Sequence, residues 1–349
     1  MLWLKHCEFG PRKDTQECVR ASDCPGGRKL VSRSFAYCFP PGAVCCEKSI
    51  EEPKAKTCGT VTPIPRIGVG VDSLQCSSPW QVSLRRRIDL NRPISKENSE
   101  HICGGTLVDN QWILTSPFCF YFAGAQDPAE QIRDNILIVA GDWNHVLDKE
   151  PFRGANPEQE FRVDRWNVHP EFAKGSGVPV NNFIDITILF TQGGEAKYQE
   201  NAFVLVKLDR PTTFTDCVRP ICLPDPSDSS CGSNTCRITG WGHNENEDLK
   251  DILQQATMTI FSPDACDAID YYRLGANAPA RPERSTCARN AAGAFPCVGD
   301  QGGPLACQGN DGRWTLRGTL LAKLSCDENT PLPVADTAQA ADWIKTTIQ

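Results

Sequence analysis

Residues 297–305 read Cys-Val-Gly-Asp-Gln-Gly-Gly-Pro-Leu. At the centre of this stretch, Gln301 stands between an aspartate and two glycines. A carboxamide side chain carries no proton that a base could remove to produce a nucleophile. Gln301 therefore cannot start an acyl transfer, and the meaning of the stretch depends on the motifs around it.

The length and charge of the chain limit the kind of protein it is. Its 349 residues are enough for two or three domains with a sizeable core. The net charge of -7 argues against nucleic acid or an anionic membrane as the main partner. No apolar run approaches the roughly 18 residues of a membrane span. No metal cluster or phosphate-binding loop stands out, so no cofactor is predicted.

The cysteine content indicates the compartment. The chain has 19 cysteines but only 5 histidines, which favours a disulfide framework over a zinc array. Disulfides persist in oxidising surroundings, so the sequence predicts a secreted, extracellular protein. Residues 1–6 are too short and too polar for a signal peptide. We therefore expect that a leader was removed or that the chain starts at an internal methionine.

The first part of the chain is a cysteine-dense module followed by a linker. Residues 7–46 are too few to be stabilised by a hydrophobic core alone. A module of this size with so many cysteines is expected to be held together by disulfides. Residues 47–66 are dominated by Glu, Lys, Pro and Thr and are typical of a linker. The module contains six cysteines, at positions Cys7, Cys18, Cys24, Cys38, Cys45 and Cys46.

The remaining residues, 67–349, have the pattern of a β protein. Short runs rich in Val, Ile, Leu and Thr alternate with Gly, Pro and Asn clusters, which predicts an all-β architecture. Residues 338–348 predict a final helix with Trp343 and Ile344 on one face. Besides the opening stretch, three motifs recur in one kind of protein: Ser-Pro-Trp-Gln-Val-Ser-Leu at 78–84, His-Ile-Cys-Gly-Gly-Thr-Leu at 101–107 and Thr-Gly-Trp-Gly at 239–242.

These motifs resemble the chymotrypsin-like serine proteases, and the resemblance covers residues 67–349. It implies a chymotrypsin-like double β-barrel, all-β, with a C-terminal helix. The cysteine module, ending in an adjacent cysteine pair, resembles the clip domain of arthropod serine proteases and their homologs. The predicted domains are therefore a clip domain at 7–46, a linker at 47–66 and a trypsin-like domain at 67–349.

The resemblance also implies disulfide pairs. In the clip module these are Cys7–Cys45, Cys18–Cys38 and Cys24–Cys46. A bridge from the linker to the protease-like body would join Cys58 to Cys222 and tether the modules after any cut between them. The body would contain Cys103–Cys119, Cys236–Cys307, Cys266–Cys287 and Cys297–Cys326. Of the remaining Cys76, Cys217 and Cys231, we pair Cys76 with Cys217, which leaves one cysteine free or bonded to another chain.

The resemblance points to three positions where a Ser-His-Asp triad would stand. The family has serine where this chain has Gln301, and histidine where it has Phe118. Counting back from the Leu-Asp-Arg-Pro motif at 208–211 places the carboxylate position at Ala202. Asp185, in Asp-Ile-Thr-Ile-Leu, is the rival, and the two choices require insertions on opposite sides of the strand. His101 and His169 occur elsewhere in the sequence.

The substrate pocket is altered as well. By the resemblance, Phe295 replaces the aspartate at the pocket floor, Lys323 falls in the strand that holds the substrate backbone, and Leu332 replaces a glycine of the pocket wall. Larger side chains at these positions predict a filled pocket. The alternative is that the positions became part of the core once catalysis was lost.

Some of the family's machinery remains. Gly299 could still supply an amide of an oxyanion hole. Asp300 stands where the family's zymogen switch needs an aspartate, to pair with the N-terminus that cleavage creates. Arg66-Ile67 lies at the matching place, although the family's Ile-Val-Gly-Gly reads Ile-Gly-Val-Gly here. Cleavage after Arg66 is therefore predicted to reshape the surface without creating an enzyme.

The resemblance implies a catalytically inactive clip-domain protease homolog that acts as a regulatory cofactor. Such proteins work in extracellular immune cascades, including prophenoloxidase activation and melanisation in haemolymph. The implied partners are clip-domain proteases, prophenoloxidase or microbial surfaces. Two alternatives remain open: an active endopeptidase that uses non-standard residues, and a protein of the extracellular matrix that uses the inactive domain for adhesion.

Overall fold

The computed structural model describes residues 16–20, 43–47, 58–61, 71–122, 133–145, 158–172, 201–225, 236–243, 249–268, 285–290, 296–321 and 332–349. The chain divides into two compact units, Met1–Thr57 and Cys58–Gln349. Each unit is considered by itself below.

The first unit contains a two-stranded antiparallel sheet. Its strands are β1 (Gln16–Arg20) and β2 (Ala43–Glu47), and the backbone of Cys18 lies opposite that of Cys45. Cys7, Cys24 and Cys38 lie outside the described residues. The clip assignment and its disulfide pairs therefore remain predictions.

The second unit begins with a closed, antiparallel, six-stranded barrel, with strand order β4-β5-β6-β9-β8-β7. Every side chain of β6 and β7 is buried, as expected for continuous apolar runs such as Ile-Leu-Ile-Val-Ala. Trp80, Leu107 and Phe161 are among the large side chains that fill its core. The strands are β4 (Gln81–Arg87), β5 (Ser99–Asp109), β6 (Trp112–Thr115), β7 (Ile136–Ala140), β8 (Gln159–Val168) and β9 (Val204–Leu208).

A second antiparallel sheet runs β10-β13-β14-β15-β12-β11 and closes because β10 also pairs with β11. The short strand β3 (Val71–Asp72) extends it at β11. The predicted all-β, chymotrypsin-like double barrel is therefore confirmed. The strands are β10 (Cys236–Gly240), β11 (Gln254–Phe261), β12 (Ser285–Arg289), β13 (Pro304–Gln308), β14 (Trp314–Leu320) and β15 (Leu332–Asp336).

Helices whose bounds lie wholly within the described residues include α1 (Phe118–Phe122), α2 (Pro263–Ala268) and α3 (Thr337–Thr347). The last confirms the predicted C-terminal helix. Asp336 caps it, because its carboxylate accepts a hydrogen bond from the Ala338 N–H at 3.0 Å. Ile344 is fully buried in the core of the unit, and Trp343 packs against that core half-buried.

Disulfides occur in both barrels, and one of them fixes the segment that leads into the unit. Cys297 is also disulfide-bonded, whereas Cys326 and Cys231 lie outside the described residues. The Cys58 segment is further held by backbone hydrogen bonds from Gly59 N–H to the Pro220 carbonyl and from Trp314 N–H to the Gly59 carbonyl, both 2.8 Å. The described pairs, all among those expected above, are Cys58–Cys222, Cys76–Cys217, Cys103–Cys119, Cys236–Cys307 and Cys266–Cys287.

A buried cluster of charges lies at one side of the first barrel. The Lys96 ammonium donates to Asp142 Oδ1 at 3.1 Å, to Glu158 Oε1 at 2.6 Å and to the Asn144 carbonyl at 3.1 Å. The side chains of Lys96 and Asp142 are 3% and 0% exposed. A pair as deeply buried as this is stable only while each charge keeps its partner.

We predict that Lys96→Met destabilises the protein by about 3–5 kcal/mol, because it removes the ammonium that both carboxylates share and leaves Asp142 with the more distant Arg85 guanidinium, 4.0 Å away. Chemical denaturation at neutral pH measures this. The matched control is Arg86→Met, which removes an equal positive charge from the exposed Arg86–Glu100 pair and is expected to cost less than about 1 kcal/mol. Equal effects of the two changes would contradict the prediction.

Candidate functional site

The stretch that carries Gln301 lies where the two barrels meet. The Gln301 carbonyl accepts a hydrogen bond from the Gly104 N–H of β5 at 2.8 Å, and the Gly302 N–H donates to the Leu320 carbonyl of β14 at 2.9 Å. The first bond reaches the first barrel and the second reaches the second barrel. Residue 301 is therefore fixed by both.

Gly302 shows why this approach requires glycine. Its φ of +77° lies in the left-handed region, and a Cβ there would stand 2.1 Å from Thr115 Oγ1 and 2.5 Å from the Gly104 carbonyl oxygen. Neither contact is possible for a real side chain. Gly302 is thus required by its backbone conformation and by packing, whatever residue precedes it.

The positions of the other two triad candidates lie together at one end of the first barrel. Thr115, the last residue of β6, pairs with Val204, the first residue of β9. Phe118 follows β6 and Ala202 precedes β9, so both lie just beyond this paired end. Their side chains are 4% and 0% exposed and belong to the same core cluster.

Gln301 is adjacent to this end of the barrel. The Sγ of Cys119, the neighbour of Phe118, lies 3.5 Å from the Gln301 carbonyl oxygen. The structure thus brings residues 118–119 and 301 together, with Ala202 at the same barrel end. Asp185 lies outside the described residues. A phenyl ring, a methyl group and a carboxamide offer no general base at these positions.

The Gln301 side chain turns inward. It is 3% exposed, and its Oε1 accepts a hydrogen bond from the Gly299 N–H at 2.7 Å. The Gly299 amide, which the sequence assigned to an oxyanion hole, is therefore bonded to the residue that replaces serine.

His101 holds the other side of the same glycine. Its Nε2 lies 2.9 Å from the Gly299 carbonyl oxygen, and its Nδ1 lies 2.8 Å from Ser83 Oγ. Because a carbonyl only accepts, Nε2 carries the proton and Nδ1 accepts from the serine hydroxyl. Burial holds the pKa of His101 well below its usual range, which favours this neutral form.

A second histidine stacks on the first. The rings of His101 and His145 are 4.8 Å apart, and His145 also lies 4.6 Å from the Trp241 ring. His145 Nδ1 lies 3.1 Å from Asp142 Oδ2, which links the stack to the Lys96 charge cluster. His145 Nε2 is buried without a hydrogen-bond partner among the described residues. Burial lowers the pKa of His145 in spite of the Asp142 carboxylate.

Sequence reasoning missed this stack. His101 and Trp241 stand in two of the recognised motifs, whereas no motif pointed to His145. Their contact brings β5, the segment after β10 and the segment after β7 together, and no sequence spacing reports such a meeting.

Asp300 lies half-buried beneath the loop. Its carboxylate accepts hydrogen bonds from the Gly242 N–H at 2.8 Å and the Cys297 N–H at 2.9 Å. A Cβ on Gly242 would lie 2.3 Å from Asp300 Oδ2, which explains the second glycine of the Thr-Gly-Trp-Gly motif. Burial raises the pKa of Asp300 to about 6, against these two hydrogen bonds. Ile67, its expected partner, lies outside the described residues, as does Arg66.

Of the pocket positions, only Leu332 is described; Phe295 and Lys323 are not. Leu332 begins β15, is 2% exposed and packs in the core of the second barrel with Leu305 and Leu320. This is the environment expected if the position became part of the core.

The contacts of His169 are those of a residue that supports the fold. It follows the end of β8, its Nδ1 accepts from the Glu171 N–H at 3.2 Å, and its ring meets Trp343 edge-on at 4.8 Å.

Across the described ranges, no group of His, Cys, Asp and Glu is arranged to hold a metal ion. None of the helices in those ranges has the length and apolar character that a membrane crossing requires.

Comparison with known proteins agrees with this architecture. The profile of the trypsin family matches residues 67–344. The chain belongs to the trypsin family. Ovochymase-2 of Mus musculus is 27% identical over 318 residues, which cover 87% of this chain and 44% of the mouse protein. This trypsin-family chain thus spans less than half of that relative. Its disulfides are consistent with a secreted protein.

We predict that the two stacked histidines make the protein less stable in mild acid. Their pKa values are lower in the folded than in the unfolded chain, so the unfolded chain takes up protons first once the pH falls below about 6.5. Stability is then lost progressively toward the folded pKa. Between about pH 7 and pH 5, the melting temperature of His145→Phe should therefore fall less than that of the wild type.

Thermal denaturation at several pH values measures the difference. Asp300 acts with the opposite sign, because its raised pKa of about 6 means that acid relieves the cost of its buried charge. That contribution is common to both proteins and cancels in the comparison. Phe203→Leu, a change at a buried side chain without a titratable group, controls for lost stability and should keep the wild-type slope. A His145→Phe slope as steep as the wild type would refute the assignment.

Proposed function

We propose that this trypsin-family chain is a catalytically inactive, secreted protease homolog that regulates an extracellular proteolytic cascade by binding other proteins. The observation that carries the proposal is the side-chain chemistry at the three triad positions. Phe118 and Ala202 lie at one end of the first barrel, and the Sγ of Cys119, next to Phe118, lies 3.5 Å from the Gln301 carbonyl oxygen. None of the side chains of Phe118, Ala202 and Gln301 can take or relay a proton. In a serine protease, losing the nucleophile or the histidine alone lowers turnover by on the order of a millionfold.

The rest of the domain supports a binding role. Both barrels are closed, Asp300 keeps two backbone hydrogen bonds, and the Cys58–Cys222 bridge secures the segment that enters the domain. A fold that keeps its frame without the chemistry is suited to recognition by its surface loops. The frame is therefore what we expect partners to use.

The finer assignment rests on the resemblance of residues 7–46 to clip domains. By that resemblance the cascade is one of innate immunity, with prophenoloxidase activation and melanisation as its outputs. Clip-domain proteases, prophenoloxidase or microbial surfaces are the proposed partners, and haemolymph is the proposed location. A pull-down from haemolymph that compares the intact with the cleaved protein tests this assignment. Capture of matrix proteins alone would favour the adhesion alternative.

We predict that the purified protein does not react with a fluorophosphonate probe and does not turn over a peptide ester, because position 301 offers no hydroxyl. Trypsin at equal concentration is the positive control. A Gln301→Ser variant from the same expression system controls for contaminating proteases. Covalent labelling of the wild type at a residue of this chain would overturn the proposed inactivity and favour the endopeptidase alternative.

We predict that limited trypsin digestion cuts the Arg66–Ile67 bond and that the two parts stay together. The Cys58–Cys222 bridge lies across this cut, so the digest should run as one band without reductant and as two bands with it. N-terminal sequencing should find Ile67 at the start of the larger part. In a Cys58→Ser, Cys222→Ser variant the parts should separate without reductant. An uncut Arg66–Ile67 bond, while other sites are cut, would count against the prediction.

A further inference from the structure

Both polar atoms of the Gly299 residue are bonded inside the protein. Its N–H donates to Gln301 Oε1 at 2.7 Å, and its carbonyl oxygen lies 2.9 Å from His101 Nε2. Gln301 and His101 are 3% and 6% exposed. The backbone at this point is therefore saturated by two buried side chains.

The first of these bonds is chemically specific. In an acyl-transfer site, backbone N–H groups of this loop bind the oxygen on which negative charge develops. A carboxamide oxygen is the same kind of acceptor as the carbonyl of a peptide ligand. The Gln301 side chain thus presents to Gly299 the group that an outside ligand would present.

We propose that Gln301 is a built-in occupant of this amide: its Oε1 stands where the carbonyl or carboxylate oxygen of a ligand would bind, and so closes the site. The replacement of serine by glutamine then has two effects. It removes the nucleophile, and it fills the hydrogen-bonding position opposite it.

Both sides of the contact between the Gly299 N–H and Gln301 Oε1 are held in place. Because Gln301 Oε1 is part of the chain, it competes well against an oxygen of a free ligand. The Gln301 backbone is held by the Gly104 N–H, and its neighbour Gly302 by the Leu320 carbonyl. On the other side, His101 holds Gly299 and is itself held by Ser83. A ligand would have to displace an acceptor that pays no further loss of translational freedom.

Hydrogen exchange at the Gly299 amide tests the proposal on the full chain labelled with nitrogen-15 glycine. In the wild type this amide should exchange as slowly as the amides of the barrel strands. In Gln301→Ala it should exchange about tenfold or more faster, since about 1.4 kcal/mol corresponds to a factor of ten. In Gln301→Glu, which keeps an acceptor oxygen of the same length, protection should return in part.

Gln255→Ala is the matched control. It removes the same atoms from a side chain that is 4% exposed and that makes no bond to the loop, so Gly299 should stay protected. An unprotected Gly299 amide in the wild type overturns the proposal even if no variant folds. An unchanged rate in a folded Gln301→Ala variant overturns it as well.

Titration with sodium acetate then tests whether the vacated amide accepts an outside oxygen. The Gly299 resonance should shift in Gln301→Ala and stay in place in the wild type. If the Gly299 amide exchanges faster in Gln301→Ala but its resonance does not shift with acetate, the contact serves only packing. That result would overturn the proposal that Gln301 occupies a ligand position. Neither measurement follows peptide cleavage, so this inference and the proposed inactivity stand or fall separately.

Discussion

The contact between the two barrels at Gly302 is the constraint on which the rest of the site depends. The left-handed backbone there, with Thr115 and Gly104 within 2.1 and 2.5 Å of any added Cβ, leaves one way for residues 299–303 to pass. Hydrogen bonds from Gly104 to Gln301 and from Gly302 to Leu320 hold this backbone between the two barrels. A glutamine at this position inherits the position of a nucleophile without its chemistry.

The space around the loop is filled from within. The Asp300 carboxylate accepts hydrogen bonds from the Gly242 and Cys297 N–H groups, and His101 reaches the Gly299 carbonyl from β5. His145 then joins this layer to the buried charges around Asp142. The result is a path of contacts from Lys96 to the loop, hydrogen-bonded except where the rings of His145 and His101 meet. Such a path is sensitive to protonation, because it contains two histidines kept neutral by burial.

Several features could be predicted because they are local or because they follow a strong pattern. The apolar runs at 112–115 and 136–140 became fully buried strands, and the apolar face at 338–348 became a helix capped by Asp336. Spacing favoured Ala202 over Asp185 but did not decide between them, since each choice requires an insertion on one side of the strand. The pairing of Thr115 with Val204 shows where Ala202 lies, and spacing cannot supply that information.

The double barrel was implied by the motifs that the chain shares with the chymotrypsin-like proteases. By itself, the sequence determined the all-β pattern, the final helix and the side chains at positions 118 and 301. These follow from apolar periodicity and from the functional groups that each side chain carries, which are properties of short segments. The tertiary structure alone decided that the Gln301 amide turns back onto Gly299 and that His101 stacks on His145 beside Trp241. Those contacts join residues far apart in the chain, and their geometry is set by how the barrels pack.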